Sequence, residues 1–176
     1  KKVFTSLIQK GYFKEGSRVN RFNILDNEIR NCIFQFIKLN PGVIFTDFKK
    51  FNIANETIYY HLERLITFKL IRSQTVNKKK AYFHKYFPEE FDNFVFFYRK
   101  PIFHEIIQFL YNFNSRKNLS KVEIQKHVRV SSTNLYYYLK TCQKFGFFEN
   151  NHGNFQLKKN YILFLHLQKQ FNYTLD

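Results

Sequence analysis

The chain has 176 residues, 44% of them hydrophobic, which suits one ordinary domain or two small ones with packed cores and excludes wholesale disorder. Its 29 lysines and arginines against 13 acidic residues give a formal charge of +16, which predicts a polyanionic partner, although codon bias in an AT-rich genome is an alternative explanation. The two cysteines, Cys32 and Cys142, lack the spacing of a disulfide scaffold or a zinc site, so we expect both to be reduced and buried in a cytosolic protein.

The first half of the chain predicts three helices and a β-hairpin. Apolar residues at helical spacing indicate a first helix that "NPG" ends at Asn40–Gly42, and "VIF" after it reads as a short extended stretch. Thr46 is a candidate N-cap for a second helix, and a third helix buries Ile58, Leu62 and Leu65. The segment after it alternates around a turn, as a hairpin does. The predicted ranges are Leu25–Leu39, Thr46–Asn52 and Asn55–Lys69 for the helices and Asn77–Lys80 for the hairpin turn.

The second half repeats the first at a constant offset of 77 residues. The pair Tyr59–Tyr60 recurs as Tyr136–Tyr137, and conservative pairs such as Ile58 and Leu135 keep the same register. A long unit present only twice indicates a duplicated domain rather than a solenoid. We therefore predict a mainly α fold with small β-hairpin wings (α+β), in which two tandem winged-helix domains are joined by a helical linker. The predicted divisions are a basic N-terminal extension 1–23, a first winged-helix domain 24–88, a linker 89–100, a second winged-helix domain 101–159 and a C-terminal helix 160–176.

The third helix of each repeat is the predicted DNA-reading element. In a helix-turn-helix this helix lies in the major groove, so the residues opposite its buried stripe face the bases, and a neighbouring hairpin flanks the groove. A tyrosine ring can contact thymine methyls and sugars while its hydroxyl reaches a phosphate. We interpret Tyr59 and Tyr136 as packing residues and the "NKKK" lysines as phosphate contacts. The predicted DNA-binding residues are Asn55, Thr57, Tyr60, His61, Arg64, Arg72, Lys78, Lys79, Lys80, Arg129, Ser132, Thr133, Asn134, Tyr137 and Lys140.

The stretch "NPGVIFTDFKKFNIANETIYYHLERLITFKLI" resembles the archaeal tandem winged-helix transcription regulators, relatives of the ArsR-like and MarR-like repressors. Members of that family have an Asn-Pro-Gly turn before the second helix and a Thr-hydrophobic-x-x-His-Leu motif on the recognition helix, here Thr57, His61 and Leu62. The resemblance spans about Leu25 to Leu167 and implies transcriptional regulation through double-stranded DNA. Lys69 departs from it, since the family usually has a helix-ending glycine there.

Two other classes of function compete with DNA binding. An enzyme would need a nucleophile with a base, metal ligands or a phosphate-cradling glycine loop, and the five glycines and six histidines form no such motif, so we expect no enzyme and no cofactor. A winged-helix scaffold for protein interactions in transcription or replication machinery is the stronger alternative. We expect a cytoplasmic, nucleoid-associated protein, with the linker or the C-terminal helix as candidate homodimer surfaces. A membrane segment before residue 1 stays an alternative.

Overall fold

The fold is seen in a computed structural model that describes residues 10, 20, 22–113, 119–151 and 154–171. Over these residues the fold is mainly helical with two small antiparallel sheets, and the chain divides into two compact units at the Asp92–Asn93 bond. The predicted basic extension 1–23 lies almost entirely outside the described residues. Within the described part of the chain, none of the helices has both the length and the apolar character that crossing a bilayer requires.

From residue 22 onward, the first unit runs from a helix through a short strand into a 3-10 helix, a second α-helix and a hairpin. Its α1 begins three residues later than predicted, because the Asn27 side chain caps it by accepting a hydrogen bond from the Arg30 amide at 3.0 Å. The predicted second helix is a 3-10 helix, and its start is held by the Asp47 carboxylate, which accepts from the Ile44 amide at 3.0 Å, so the predicted Thr46 cap is wrong. The elements are α1 (Glu28–Leu39), β1 (Val43–Ile44), the 3-10 helix Phe45–Phe51, α2 (Asn55–Thr67), β2 (Ile71–Val76) and β3 (Lys79–His84).

Together with β1, the hairpin of β2 and β3 forms a three-stranded antiparallel sheet in the order β1-β3-β2. Ile71 pairs with His84 at one end of the hairpin and Val76 with Lys79 at the other, and Val43 of β1 pairs with Tyr82. Both residues of the two-residue turn between β2 and β3 have positive φ, 48° at Asn77 and 62° at Lys78. That combination is typical of a type I′ turn, whose twist matches the flanking strands.

The predicted buried stripe of α2 is confirmed. Ile58, Leu62 and Leu65 are at most 1% exposed and pack with α1 and Phe48 into one hydrophobic core. The Phe48 ring meets Tyr82 of β3 edge-on at 6.0 Å between ring centroids, so the 3-10 helix and the sheet close the same core.

The second unit repeats the helical order, with one added helix before the repeat and another after it. Ser120 caps α5 in a capping box with Glu123, and Ser131 caps α6 by accepting from the Asn134 amide at 3.2 Å. A 3-10 turn, Glu89–Phe91, leads into the first helix, and the turn at 152–153 lies outside the described residues. The elements are α3 (Asp92–Tyr98), α4 (Pro101–Phe113), α5 (Lys121–Val128), α6 (Ser132–Lys144), β4 (Phe148–Asn151), β5 (Asn154–Leu157) and α7 (Lys159–Phe171).

Stacked aromatic rings dominate the core of the second unit. Phe94 of α3 stacks on Tyr161 of α7 at 4.6 Å and meets Phe147 edge-on at 5.4 Å. The Tyr161 hydroxyl donates to the Phe145 carbonyl at 3.3 Å, which satisfies the polar end of this ring. The segment predicted as a helical linker therefore contributes, through Phe94, to the packed interior of the second unit.

The backbone repeats at the predicted offset of 77 in the helical part of each unit. The ranges of α2 and α6 correspond residue for residue, and the left-handed residues that end the preceding helices, Asn52 and Arg129, also lie 77 apart. Both α2 and α6 end in a Schellman motif, in which the Leu70 amide donates to the Leu65 carbonyl and the Phe147 amide donates to the Cys142 carbonyl. The hairpins differ, because β4–β5 is shorter than β2–β3 and the counterpart of β1 is a single bridge between residues 119 and 155.

The two cysteines lie in different environments. Both are free, as predicted, and Cys142 is fully buried in the second unit, where burial raises the pKa of its thiol. Cys32 is exposed on α1, so its predicted burial is wrong. The buried face of α1 is formed by Arg30, Ile33, Phe34 and Ile37, and position 32 points away from that face.

Candidate nucleic-acid interface

The outward face of α2 carries two exposed tyrosines. Tyr59 and Tyr60 are 51% and 48% exposed, and Thr57 and Arg64 are half-buried beside them. The Arg64 guanidinium lies 5.2 Å from the ring centroid of Tyr60, a distance at which a cation and an aromatic ring attract each other. Thr57, Tyr60 and Arg64 therefore share the side of the helix opposite its core, together with Asn55, which is exposed at the first helical position.

The hairpin turn places a second group of cations on the first unit. Lys78, Lys79 and Lys80 are all exposed at or beside the turn. The Lys80 ammonium lies 3.5 Å from the Glu63 carboxylate of α2, and both side chains are at least half exposed. An ion pair in solvent adds little stability, but the distance shows that the hairpin lysines lie beside α2 of the same unit.

His61 is buried rather than outward-facing, so that part of the predicted site is wrong. It is 4% exposed, and its Nδ1 accepts a hydrogen bond from Nε of Arg30 on α1 at 3.4 Å. Burial and the nearby guanidinium both lower the pKa of His61, which favours the neutral ring that this acceptor role needs. Arg30 also donates through Nη1 to the Ile24 carbonyl at 2.6 Å. The hydrogen bond between Arg30 and His61 therefore joins α1 to α2 inside the unit.

Arg72 is likewise held in a structural role. Its Nη1 and Nη2 donate to the two carboxylate oxygens of Asp92 at 2.6 and 2.7 Å, and Nη2 also donates to the Phe87 carbonyl at 2.9 Å. Asp92 is 4% exposed; its burial raises the pKa of the carboxyl, and the hydrogen bonds from Arg72 act in the opposite direction. We therefore leave Arg72 out of the surface that could contact DNA.

The tyrosines interpreted as packing residues are only partly so. The Tyr59 ring stacks on Phe45 at 4.0 Å with 12° between the planes, yet half of its surface is open to solvent. Tyr136 is 57% exposed, and the ammonium groups of Lys121 and Lys140 each lie 5.8 Å from its ring centroid. Lys121 is a residue that sequence reasoning missed, and the capping box Ser120–Glu123 is the signal that puts it at the start of α5.

The outward face of α6 resembles that of α2 but contains no acidic residue. Ser132, Thr133 and Asn134 are exposed in its first turn, Tyr137 is 55% exposed, and Lys140 follows one turn later. The Ser132 hydroxyl accepts from the Gln125 side chain at 2.8 Å, and Arg129 is exposed in the preceding turn. By contrast α2 contains Glu56 and Glu63, both exposed. The more positive of the two helical faces is therefore that of α6.

The positive charge is shared equally between the two units. Residues 1–92 contain 17 lysines and arginines and 9 acidic residues, whereas residues 93–176 contain 12 and 4, so each part has a formal charge of +8. The surplus of positive charge is therefore not confined to one unit.

The comparisons with known proteins leave this site to be interpreted from its own geometry. No protein-family model matches the chain, and no curated protein matches it either. Among the residues that the structure describes, no three histidine, cysteine or acidic side chains come together as a group that could hold a metal ion.

Proposed function

We propose that this protein binds double-stranded DNA through two tandem winged-helix units, with α2 and α6 as the recognition helices. The proposal agrees with the resemblance of the sequence to archaeal tandem winged-helix transcription regulators. Sequence-specific binding and a role in transcriptional regulation are parts of the same proposal.

The observation that carries the proposal is the recurrence of an exposed tyrosine pair on both third helices. Four tyrosine side chains are each about half exposed, so they leave aromatic surface in contact with water that a helix with a purely structural role would bury. Each pair lies beside a cation, Arg64 at Tyr60 and Lys140 at Tyr136. An aromatic ring next to a cation suits contact with sugars, thymine methyls and phosphates.

The proposed DNA contacts are of two kinds: contacts to phosphates, which position the protein, and contacts to base edges, which read the sequence. In the first unit Lys78, Lys79 and Lys80 would lie along the DNA backbone, where they neutralise phosphates without reading sequence. Thr57, Tyr60 and Arg64 would face the base edges in the major groove. In the second unit the corresponding groups are the first turn of α6, Tyr137, Lys140 and Arg129.

A protein-interaction scaffold is the second candidate. The acidic residues Glu56 and Glu63 on α2 favour it, because a DNA-reading helix gains from having no carboxylate on its exposed face. The tyrosines also suit a protein interface, where aromatic residues are enriched. This candidate gives no reason for a charge of +8 on each unit.

Selection from random duplex DNA combined with site-directed photocrosslinking tests the proposal. A photoreactive phenylalanine analogue would replace Tyr60, Tyr137 or, as a control, Leu163, which is 54% exposed on α7. We expect an enriched consensus sequence and crosslinks from positions 60 and 137 but not from 163. Absence of a consensus, or equal crosslinking from all three positions, would favour the scaffold.

A further inference from the structure

We propose that α6 reads A·T base pairs, so that the second unit prefers DNA rich in adenine and thymine. This inference rests on the proposed function and adds to it the class of sequence that is bound. The side chains that carry it are Thr133, Asn134 and Tyr137, all exposed on α6. Each base pair shows its own set of donors, acceptors and methyl groups in the major groove, so the side-chain types on a recognition helix favour some pairs over others.

Thr133 and Tyr137 lie at the centre of the outward face of α6. They are one helical turn apart, which makes them neighbours on the helix surface. The buried side chains of the helix, Leu135, Leu139 and Cys142, lie on the opposite side. Thymine is the base that presents a methyl group in the major groove, and the methyl group of a threonine or an aromatic ring can contact it. The centre of this face is therefore suited to thymine.

The Tyr137 ring is supported by packing within the second unit. The half-buried ring of Tyr138 meets it edge-on at 5.5 Å between ring centroids. Tyr138 in turn meets Phe103 of α4 at 5.1 Å with 74° between the planes, and Phe103 is fully buried. A side chain that is already held in place loses less conformational freedom on binding. The half-exposed ring of Tyr137 is thus positioned before DNA arrives.

Asn134 supplies a hydrogen-bonding group that suits adenine. Its backbone amide donates to the Ser131 hydroxyl at 3.2 Å, which fixes its place in the first turn of α6, and its side chain is exposed. The side-chain amide of asparagine can accept from the adenine amino group and donate to adenine N7, whereas guanine presents two acceptors at the same edge. Guanine would leave the asparagine oxygen without a donor, so Asn134 favours adenine.

The first two turns of α6 contain no lysine or arginine, the side chains that most often recognise guanine. Along the chain the nearest cations are Arg129, which ends α5 in a left-handed conformation, and Lys140, in the third turn of α6. The Lys140 ammonium lies 5.8 Å from the ring centroid of Tyr136. The N-terminal residues of a recognition helix are the ones that contact base edges, so we assign both flanking cations to phosphates.

The same assignment does not extend to α2. The residues 77 positions before Thr133 and Asn134 are Glu56 and Thr57, so α2 has a carboxylate and no amide at these two places. A carboxylate can accept from the cytosine amino group, which belongs to a G·C pair. The preference for A·T pairs is therefore proposed for the second unit alone.

Binding of the full chain to four 16-base-pair duplexes at one salt concentration, measured by fluorescence anisotropy, tests the inference. The first duplex has only A·T pairs in mixed order, and the second has uracil in place of thymine, which removes only the methyl group. The third has inosine·cytosine pairs. Because inosine lacks the 2-amino group of guanine, these pairs resemble A·T in the minor groove and G·C in the major groove. The fourth duplex has only G·C pairs.

We expect the A·T duplex to bind at least about fivefold more tightly than the inosine·cytosine and G·C duplexes, the lower end for one bidentate contact to a base. Uracil should weaken binding by roughly fourfold for each methyl group that a side chain covers. Equal affinity for all four duplexes overturns the inference and leaves DNA binding standing, whereas failure to bind any of them overturns both. Inosine·cytosine bound as tightly as A·T also overturns it, because the selectivity would then come from the minor groove.

Two variants with matched controls test whether the selectivity belongs to α6. Asn134→Ala should reduce the preference for A·T over inosine·cytosine, and Asn112→Ala makes the same change at an exposed position of α4. Tyr137→Ala should lessen the effect of uracil, and Leu163→Ala removes a side chain that is 54% exposed on α7. All four side chains are exposed, so the variants should fold. Selectivity that both α6 variants retain in full would come from elsewhere in the protein and overturns the inference.

Discussion

Lys69 follows α2, and Gly146 follows α6 at the position 77 residues further along the chain. Both have a left-handed backbone conformation, with φ of 55° at Lys69 and 66° at Gly146. Each occupies the position after a helix where a Schellman motif needs positive φ. Glycine meets this need without strain and lysine does not, so the same backbone conformation is held at different cost in the two units.

Substitutions at these two positions should affect the stability of the protein differently. Gly146→Ala should lower the free energy of unfolding by about 1–2 kcal/mol, the cost of left-handed backbone for an L-residue. An added Cβ would meet only the Lys158 ammonium at 3.6 Å, so no clash contributes. Lys69→Gly should leave that free energy unchanged or raise it by up to about 1 kcal/mol, since the relief of strain is partly offset by the entropy of glycine in the unfolded chain. Urea unfolding of both variants measures this, and a large decrease for Lys69→Gly would contradict the account of strain.

The buried contact between Arg30 and His61 should make stability depend on pH. Because burial and Arg30 lower the pKa of His61, the unfolded chain binds this proton more readily than the folded one. The stability that the neutral ring contributes is therefore complete above the unfolded pKa of about 6.5 and is lost as pH falls below it. Urea unfolding between pH 7.5 and 5.5 should show a decline of at most about 1.4 kcal/mol per pH unit from this group.

His61→Gln is the matched variant for the pH effect, because its amide oxygen can accept from Arg30 but does not titrate. His84 also has a lowered pKa, caused by burial and by Lys38 and Lys85, and its contribution stays in both proteins. The difference between parent and variant therefore isolates His61. Identical pH profiles would show that His61 does not titrate with unfolding in this range.

Arg72 should be needed for stability and not for DNA affinity. Arg72→Lys keeps the positive charge but loses the paired hydrogen bonds to the Asp92 carboxylate. We expect the free energy of unfolding to fall by about 1.5–3 kcal/mol, the range for hydrogen bonds to charged groups. The dissociation constant for duplex DNA, measured by fluorescence anisotropy under conditions where the variant is folded, should stay within about twofold of the parent. A tenfold weaker complex with unchanged stability would return Arg72 to the DNA-contacting surface.

The carboxylate of Glu56 should oppose DNA binding. It is exposed in the first turn of α2, and Glu28 is exposed in the first turn of α1, so both occupy the positive end of a helix. Glu56→Gln should tighten the complex by roughly two- to threefold, within the range for a single exposed charge. Glu28→Gln makes the same change outside the proposed surface and should have no such effect. If both variants behave alike in an anisotropy titration, only net charge matters and α2 does not face the DNA.

The sequence predicted much of the helical part of the fold and fewer of the side-chain positions. Apolar spacing found α2 and its stripe of Ile58, Leu62 and Leu65, because periodicity records which face of a helix is buried. It could not show that α1 brings Arg30 against His61, since that contact depends on tertiary packing. The failure at Arg72 has the same origin, because Asp92 lies 20 residues away along the chain.

Duplex binding as a function of salt concentration tests the central claim of DNA binding most directly. The parent would be compared with the triple variant Lys78→Ala/Lys79→Ala/Lys80→Ala and with a control triple variant, Lys38→Ala/Lys158→Ala/Lys159→Ala, whose three changed residues are exposed outside the proposed surface. Fluorescence anisotropy with a labelled duplex gives the slope of log affinity against log salt. We predict that the parent has a steep negative slope, that removal of the hairpin lysines flattens it by up to about 0.9 for each phosphate they neutralise, and that the control retains the parental slope. A parent protein that fails to bind duplex DNA at low salt, or binds it with an affinity that salt does not change, would contradict the proposed function.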